Sequence, residues 1–218
     1  MVKEFWEPVQ LSISIAIAAW VIVSITGTLL GHFFVNKSFK GKTLMETILM
    51  LPLILPPSVI GFLLIVIFGN QSFVGQFINK LFGQSIMFTW YAAVIAAVIV
   101  SFPLMFQTAK AGFQGVNHTL EEAAGDLGAN AWQVFTRISI PLAKKSLLAG
   151  SILSFARALG EFGATLMFAG NIPGVTQTVP TAIYMAIDSG NMTLAWLWVF
   201  SMILLSFFLL FFVRMKER

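Results

Sequence analysis

The stretch Thr119–Pro141, TLEEAAGDLGANAWQVFTRISIP, decides how this chain is read. It is polar and helix-patterned, and it lies between segments built for lipid. Thr119 and Glu122 have the spacing of a capping box, in which the hydroxyl accepts from the third amide and the carboxylate reaches back. Leu120, Ala123, Ala124 and Leu127 recur at i, i+3, i+4 and i+7 and make one apolar face. Gly128 stands where a C-cap glycine belongs, and Asn130 is placed to cap a second short helix. Ala131, Val134, Phe135 and Ile138 repeat the spacing, and Pro141 is expected to stop it. Two helices this short are marginal alone and need a partner surface. The small Ala123 and Ala124 would let that partner approach closely. An amphipathic linker lying on the membrane fits the same pattern.

Outward from this insert the chain is apolar. It is 58% hydrophobic and 10% charged, against about 25% charged in soluble domains. No Asp, Glu, Lys or Arg falls between Glu7 and Lys37, Glu46 and Lys80, Lys80 and Lys110, or Asp188 and Arg214. A spanning helix needs roughly 20 apolar residues, so these intervals and the weaker 146–169 predict about five spans. The expected fold class is all-α integral membrane: a polytopic bundle with a cytoplasmic loop. The spans are placed at Val9–Val35, Thr43–Phe68, Met87–Ala109, Ser146–Ala169 and Met192–Val213, within one membrane domain over 1–218.

Basic residues set the direction. Lys37, Lys40 and Lys42, then Lys110, Arg137, Lys144 and Lys145, then Arg214, Lys216 and Arg218 fall on one side of such a topology. Only Lys3 and Lys80 fall on the other, and Arg157 is intramembrane. The positive-inside rule therefore predicts an external N-terminus, a cytoplasmic insert and a cytoplasmic C-terminus in a multi-pass cell-membrane protein.

Several function classes lose support. The net charge of +4 comes from short loops between spans, not from a basic face rich in stacking aromatics, so no nucleic-acid partner is expected. With no cysteine there is no disulfide, thiolate metal site or Cys nucleophile. Gly41-Lys42-Thr43 echoes the end of a phosphate-binding loop, but Asn36 stands where its first glycine is required. The chain should hold no nucleotide and no other cofactor, and energy must come from another subunit. There is no G-x-S-x-G and no H-E-x-x-H, and His32 and His118 are isolated. No catalytic group and no metal site is expected, and the chain is not an enzyme.

Polar residues inside the spans stand out. Arg157 and Glu161 are four apart, share a helix face and can pair. A central charge in lipid costs about 2.5–3.5 kcal/mol on insertion scales, so both should face protein or water. A pathway or gate element and a structural ion pair are both open readings, and the pairing favours the second. Ala156, Gly160 and Ala164 form a small-residue face for close helix contact. Pro52, Pro56 and Pro57 should kink or unwind the second span just before Ser58 and Gly61. Broken helices at membrane depth often line substrate paths, though a packing bend fits equally. Pro103 should bend the third span. The stretch 170–190 should be external and rich in donors, which suits an anion or a docking surface alike.

Glu122-Ala123-Ala124, Gly128 and Ile138 to Pro141 resemble the EAA loop of ABC importer permeases, with Ile140 replacing the usual Leu. Leu51-Pro52-Leu53-Ile54-Leu55-Pro56-Pro57, Phe155 through Thr165, Ala169 through Gly174 and Thr176-Gln177-Thr178 resemble the molybdate/tungstate branch. Sulfate permeases are similar but tend towards Gly-Glu-Tyr-Gly-Ser in the fourth span. The resemblance runs from about residue 10 to the C-terminus. It implies a permease subunit of an ATP-driven importer of a tetrahedral oxyanion, molybdate or tungstate, with sulfate as the alternative. It implies coupling to a separate ATPase through Glu121, Glu122, Ala123, Ala124, Gly128 and Pro141. The implied partners are a second copy of the chain, cytoplasmic ABC ATPase subunits, an extracytoplasmic molybdate-binding protein and membrane lipid. The candidate pathway or gate residues are Ser58, Arg157, Glu161 and Thr165. A non-transport membrane scaffold is the reading from a different class.

Overall fold

The computed structural model describes the backbone of residues 2–217 and the side chains of residues 4–211. Lys3, Arg214, Lys216 and Arg218, used above for orientation, lie outside the described side chains. The described chain is helical, with no strand. Its elements are α1 (Val2–Asn36), α2 (Lys42–Ile54), α3 (Pro57–Phe68), α4 (Phe73–Phe82), α5 (Trp90–Gln114), α6 (His118–Asp126) and α7 (Ala131–Val134). A π-turn (Phe135–Ser139) then leads to α8 (Ile140–Leu159), α9 (Gly163–Phe168), α10 (Val179–Asp188) and α11 (Met192–Glu217).

Glu4–Asn36, Trp90–Gln114, Ala131–Leu159 and Met192–Phe211 are long and apolar enough to cross a membrane. The expected second span, Thr43–Phe68, is instead two helices, α2 and α3, meeting at 118°. The expected third span starts later, at Trp90, because the Thr89 hydroxyl accepts the Ala92 N–H at 3.3 Å and caps the helix there. It also runs past Ala109 to Gln114 without a break, carrying Pro103 inside it.

The fourth span differs most. It was expected over Ser146–Ala169, but the helix already begins at Ala131 and ends at Leu159. Gly160 closes it, and the short α9 follows. Ala156, Gly160 and Ala164 therefore do not share one helix face; Gly160 is a terminus and Ala164 belongs to the next helix.

The helices pack around α5, which lies against both α1 and α8. Small residues permit this: a Cβ on Gly27 would come within 2.6 Å of Met105, and one on Gly112 within 2.6 Å of Ser146. One apolar cluster joins Ile15, Ala16 and Ala19 of α1 to Ala92–Val100 of α5, Ile60 and Leu64 of α3, and Ala164 and Phe168 of α9. A second, at the insert end, joins Val23, Met105, Phe113, Phe135 and Ala143. A third, at the opposite end, packs Ala195 and Trp198 of α11 with Phe5 and Val9, and Trp198 Nε1 donates to the Phe5 carbonyl at 3.1 Å. So α1, α5 and α11 run in one direction and α8 in the other. The 37–41 loop and the insert share one end of the bundle, as the grouping of basic residues requires.

Candidate functional site

Two polar places are candidates, and one helix connects them. The first is the insert. Its leading helix is capped by Asn117, whose Oδ1 accepts the Thr119 N–H at 3.0 Å. The expected capping box at Thr119 is therefore corrected: Thr119 already lies inside the helix, because the packed Val116 delivers Asn117 to the capping position. Asn is among the strongest N-caps. Gly128 has φ +90° just past the end of α6, as a helix-ending glycine should, and open space where a Cβ would stand. Asn130 and Gln133 form a reciprocal capping box at 2.9 Å in both directions.

Pro141 does not stop the second insert helix. The Ile140 N–H reaches back to the Phe135 carbonyl, one residue further than in an α-helix. This π-turn takes up an extra residue and makes room for the proline ring, so the chain passes from α7 into α8 as one rod over Ala131–Leu159. At 1.5 Å per residue the rod is about 43 Å long. Its insert end is wedged by aromatic contacts: Phe135 lies 4.5 Å from His32 and 6.1 Å from Phe113 between ring centroids, and Trp132 lies 5.6 Å from Phe135.

The Glu121 carboxylate ties α6 to the rod. It accepts from the buried Ser139 hydroxyl and meets His118 Nδ1 at 3.1 Å. Glu122 and Ala123 are exposed, and Ala124 is half-buried. Leu127 is 90% and Trp132 66% exposed, so the insert presents large apolar side chains that this chain does not cover.

The second place is the far end of the rod. Arg157 Nη1 lies 2.8 Å from Glu161 Oε2. Glu161 is 2% exposed, and its other oxygen accepts the Ala164 N–H at 2.7 Å, capping α9. Oε2 lies off the guanidinium N–H direction, so charge rather than a directed hydrogen bond holds it. The pairing expected from the sequence is present, but Glu161 stands beyond the helix end and not on its face.

Here two breaks meet. A Cβ on Gly163 would come within 2.9 Å of Pro57 and 3.7 Å of the Ser58 nitrogen, and one on Gly61 within 2.8 Å of Met167. Ser58 is exposed and Arg157 half-exposed, whereas Thr165 is buried and its carbonyl accepts from Ala169 and Gly170. Of the four pathway candidates, only Ser58 and Arg157 therefore present surface within this chain.

Sequence comparison identifies the family. A model described as "Binding-protein-dependent transport system inner membrane component" matches residues 13–218. This chain belongs to that family. It is a membrane-embedded transport subunit and not an enzyme. It is 59% identical over 215 residues to YvgM of Bacillus subtilis strain 168, provisionally named a molybdenum transport system permease; the match covers 99% of this chain and 95% of YvgM. It is 42% identical to the molybdenum transport system permease ModB of Escherichia coli K12, over 84% of this chain and 80% of ModB. A bacterial ABC transporter involved in alginate import has the same fold, with a TM-score of 0.78 over 99% of this chain and 79% of that one at 15% identity.

Three features of the permease escaped sequence reading. Glu46 of α2 and Lys110 of α5 form an ion pair at 2.8 Å beside a cavity of 380 Å³. Nothing local signals a pair 64 residues apart. His32 Nε2 accepts from Asn36 Nδ2 at 2.8 Å, and its ring packs at a tilt against Phe135 of the insert; only the i, i+4 spacing of His32 and Asn36 hinted at the first contact. The donors expected in 170–190 are largely consumed: Thr176, Thr178 and Thr181 are buried, and the Thr176 hydroxyl accepts the Ile172 N–H.

Proposed function

We propose that this permease is the membrane subunit of an ATP-driven importer for molybdate or tungstate. Two copies enclose the pathway, and separate ATPase subunits grip the insert from the cytoplasm. An external binding protein delivers the anion. The chain itself holds no cofactor, its N-terminus is outside, and its C-terminus is cytoplasmic.

One observation carries this reading: a single rod joins the exposed insert to the Arg157–Glu161 site at its far end, where Ala158 and Leu159 pack against Ile15, Ala16 and Ala19 of α1 within the bundle. A rod transmits displacement, where two helices hinged at Pro141 would absorb it. Glu121, Glu122, Ala123, Ala124 and Gly128 form the gripped surface, and Pro141 sits where that surface joins the rod. When the ATPases close, the rods rock, and the contact between the two breaks opens or shuts. This is rigid-body alternating access. At the far end Ser58 and Arg157 face the pathway, while Glu161 and Thr165 hold α9 behind them. A tetrahedral dianion meets an arginine already partly neutralised, so it is attracted without being trapped.

The test is reconstitution with the partner ATPase and binding protein in vesicles. Molybdate or tungstate should stimulate ATP hydrolysis and uptake. Preferential stimulation by sulfate would transfer the chain to the sulfate branch. Glu122→Lys and Gly128→Trp should abolish uptake while leaving membrane insertion intact; normal uptake by both would remove the coupling role.

A further inference from the structure

At the end of the bundle opposite the insert, α4 is a separately built helix that no step above uses. Its N-terminus is capped by Ser72, whose hydroxyl accepts the Gly75 N–H at 2.8 Å, and Gly83 closes it at φ +71°. Gly75 has no room for a side chain: a Cβ there would meet the Gly69 carbonyl oxygen at 2.1 Å. The helix is thus docked on the end of α3 backbone to backbone at Gly75, and the Ser72 hydroxyl adds a bond to the Gly69 carbonyl at 2.8 Å.

Its ten residues span about 15 Å, too short to cross a bilayer. They are sharply two-sided. Phe73, Phe77 and Leu81 share a face with Val74 and Ile78, while Gln76, Asn79 and Lys80 take the other. The apolar face is uncovered, with Phe73 86% exposed. Lys80 makes no ion pair among the described residues. Beneath the C-terminal half of α4 runs a groove of 460 Å³, walled by Ile78, Phe82, Ile86, Val94 and Ile95 and reaching Ile22 and Tyr91. Those last two are exposed on spanning helices, so the groove is continuous with the surface that the spans present to lipid.

We propose that α4 lies in the membrane interface, with its apolar face and the groove occupied by phospholipid acyl chains and Lys80 reaching the headgroup phosphates. Three observations favour lipid over a second copy or a docked protein. The groove joins the lipid boundary of the spans. Its walls are open and mainly apolar, with Gln84, Ser85 and Thr89 the polar exceptions, and acyl chains fill such a space without shape matching. The cation sits on the polar side next to Phe73, as it does in helices lying flat on anionic surfaces. The consequence is mechanical. Because α4 is docked backbone-to-backbone on α3, a lipid-held α4 anchors that half-span, and bending concentrates at the break before Pro56.

The absence of native cysteine makes single-site labelling clean. Phe77→Cys and Gln76→Cys, each carrying a nitroxide, are reconstituted with the ATPase into vesicles of phosphatidylcholine and phosphatidylglycerol. The Phe77 label should be accessible to oxygen and shielded from a water-soluble nickel relaxant, and the Gln76 label the reverse. A Phe77 label relaxed mainly by nickel would overturn the proposal. So would spin–spin broadening between copies, or immobilisation only when the binding protein is added. The readout is depth in the bilayer, so it is independent of the transported anion and of which end faces the cytoplasm.

Discussion

Pro141 and Pro56 both stand at helix junctions, with opposite results. At Pro141 the helix carries on, and at Pro56 it turns by 118°. Immediate neighbours make the difference. A lone proline removes one donor and crowds the carbonyl four residues back. The π-turn over Phe135–Ser139 absorbs both effects. Pro52 and Pro103 are likewise carried inside helices, as membrane bundles allow. At Pro56 a second proline follows at once. Each proline drives the residue before it out of the helical region, and both Leu55 (ψ 141°) and Pro56 (ψ 140°) are extended. Two consecutive extended residues cannot be bridged by a π-turn, so the span breaks. A transport subunit needs both outcomes, a stiff rod to carry force and a bend where the force is used.

The sharpest way to break this contrast is to delete Thr136. Losing one residue from the π-turn rotates the insert by about 100° around the rod and presses the Pro141 ring on the helix. Uptake and anion-stimulated ATP hydrolysis should fall to background while membrane insertion persists. Unchanged uptake would show that the rod transmits nothing.

Next in size is the Glu161 carboxylate, which holds the second break. Glu161→Ala leaves the half-exposed Arg157 unpaired and the buried Ala164 amide without its acceptor, a loss of about 1–3 kcal/mol seen as a lowered Tm in detergent. Glu161→Gln keeps the cap and should lose less. The double variant Arg157→Met/Glu161→Gln should regain most of the stability without regaining transport. If Glu161→Ala melts like the parent, the ion pair does not hold the break.

The proline pair is tested by Pro56→Ala combined with Pro57→Ala. With nitroxides at Thr43 and Ile67, the distance across the junction should lengthen by about 10 Å or more as α2 and α3 approach one axis. An unchanged distance would mean that packing, not the prolines, sets the bend. Pro141→Ala should do least. Removing a proline that strains a helix returns about 3 kcal/mol. Here the ring is accommodated, so the change in Tm should correspond to less than about 1 kcal/mol. A large gain would show stored strain in the rod.

Much was legible because it was local. Charge-free runs mark spans through the energetics of single side chains in lipid. The Asn130 cap and the αL Gly128 depend on a few neighbouring residues. The Arg157–Glu161 pair is four residues apart, so contact was readable, though the helix end between them was not. The rest depended on partners distant in sequence. Asn117 displaces Thr119 as the cap because Val116 is packed. Thr165 looks available for a pathway until α9 folds inward and buries it.

The sequence by itself determined the membrane class, the polar insert with its Gly128 and Asn130 caps, the grouping of basic residues at one end, and the family. Only the tertiary structure decided that Pro141 lies within a continuous rod, that Glu161 caps a new helix, and that Gly163 lets one broken span rest on the other at Pro57. The reason is physical. Hydrophobicity and capping are settled within a turn or two of chain, whereas a π-turn, a helix end and a backbone-to-backbone contact depend on which distant segments supply the space.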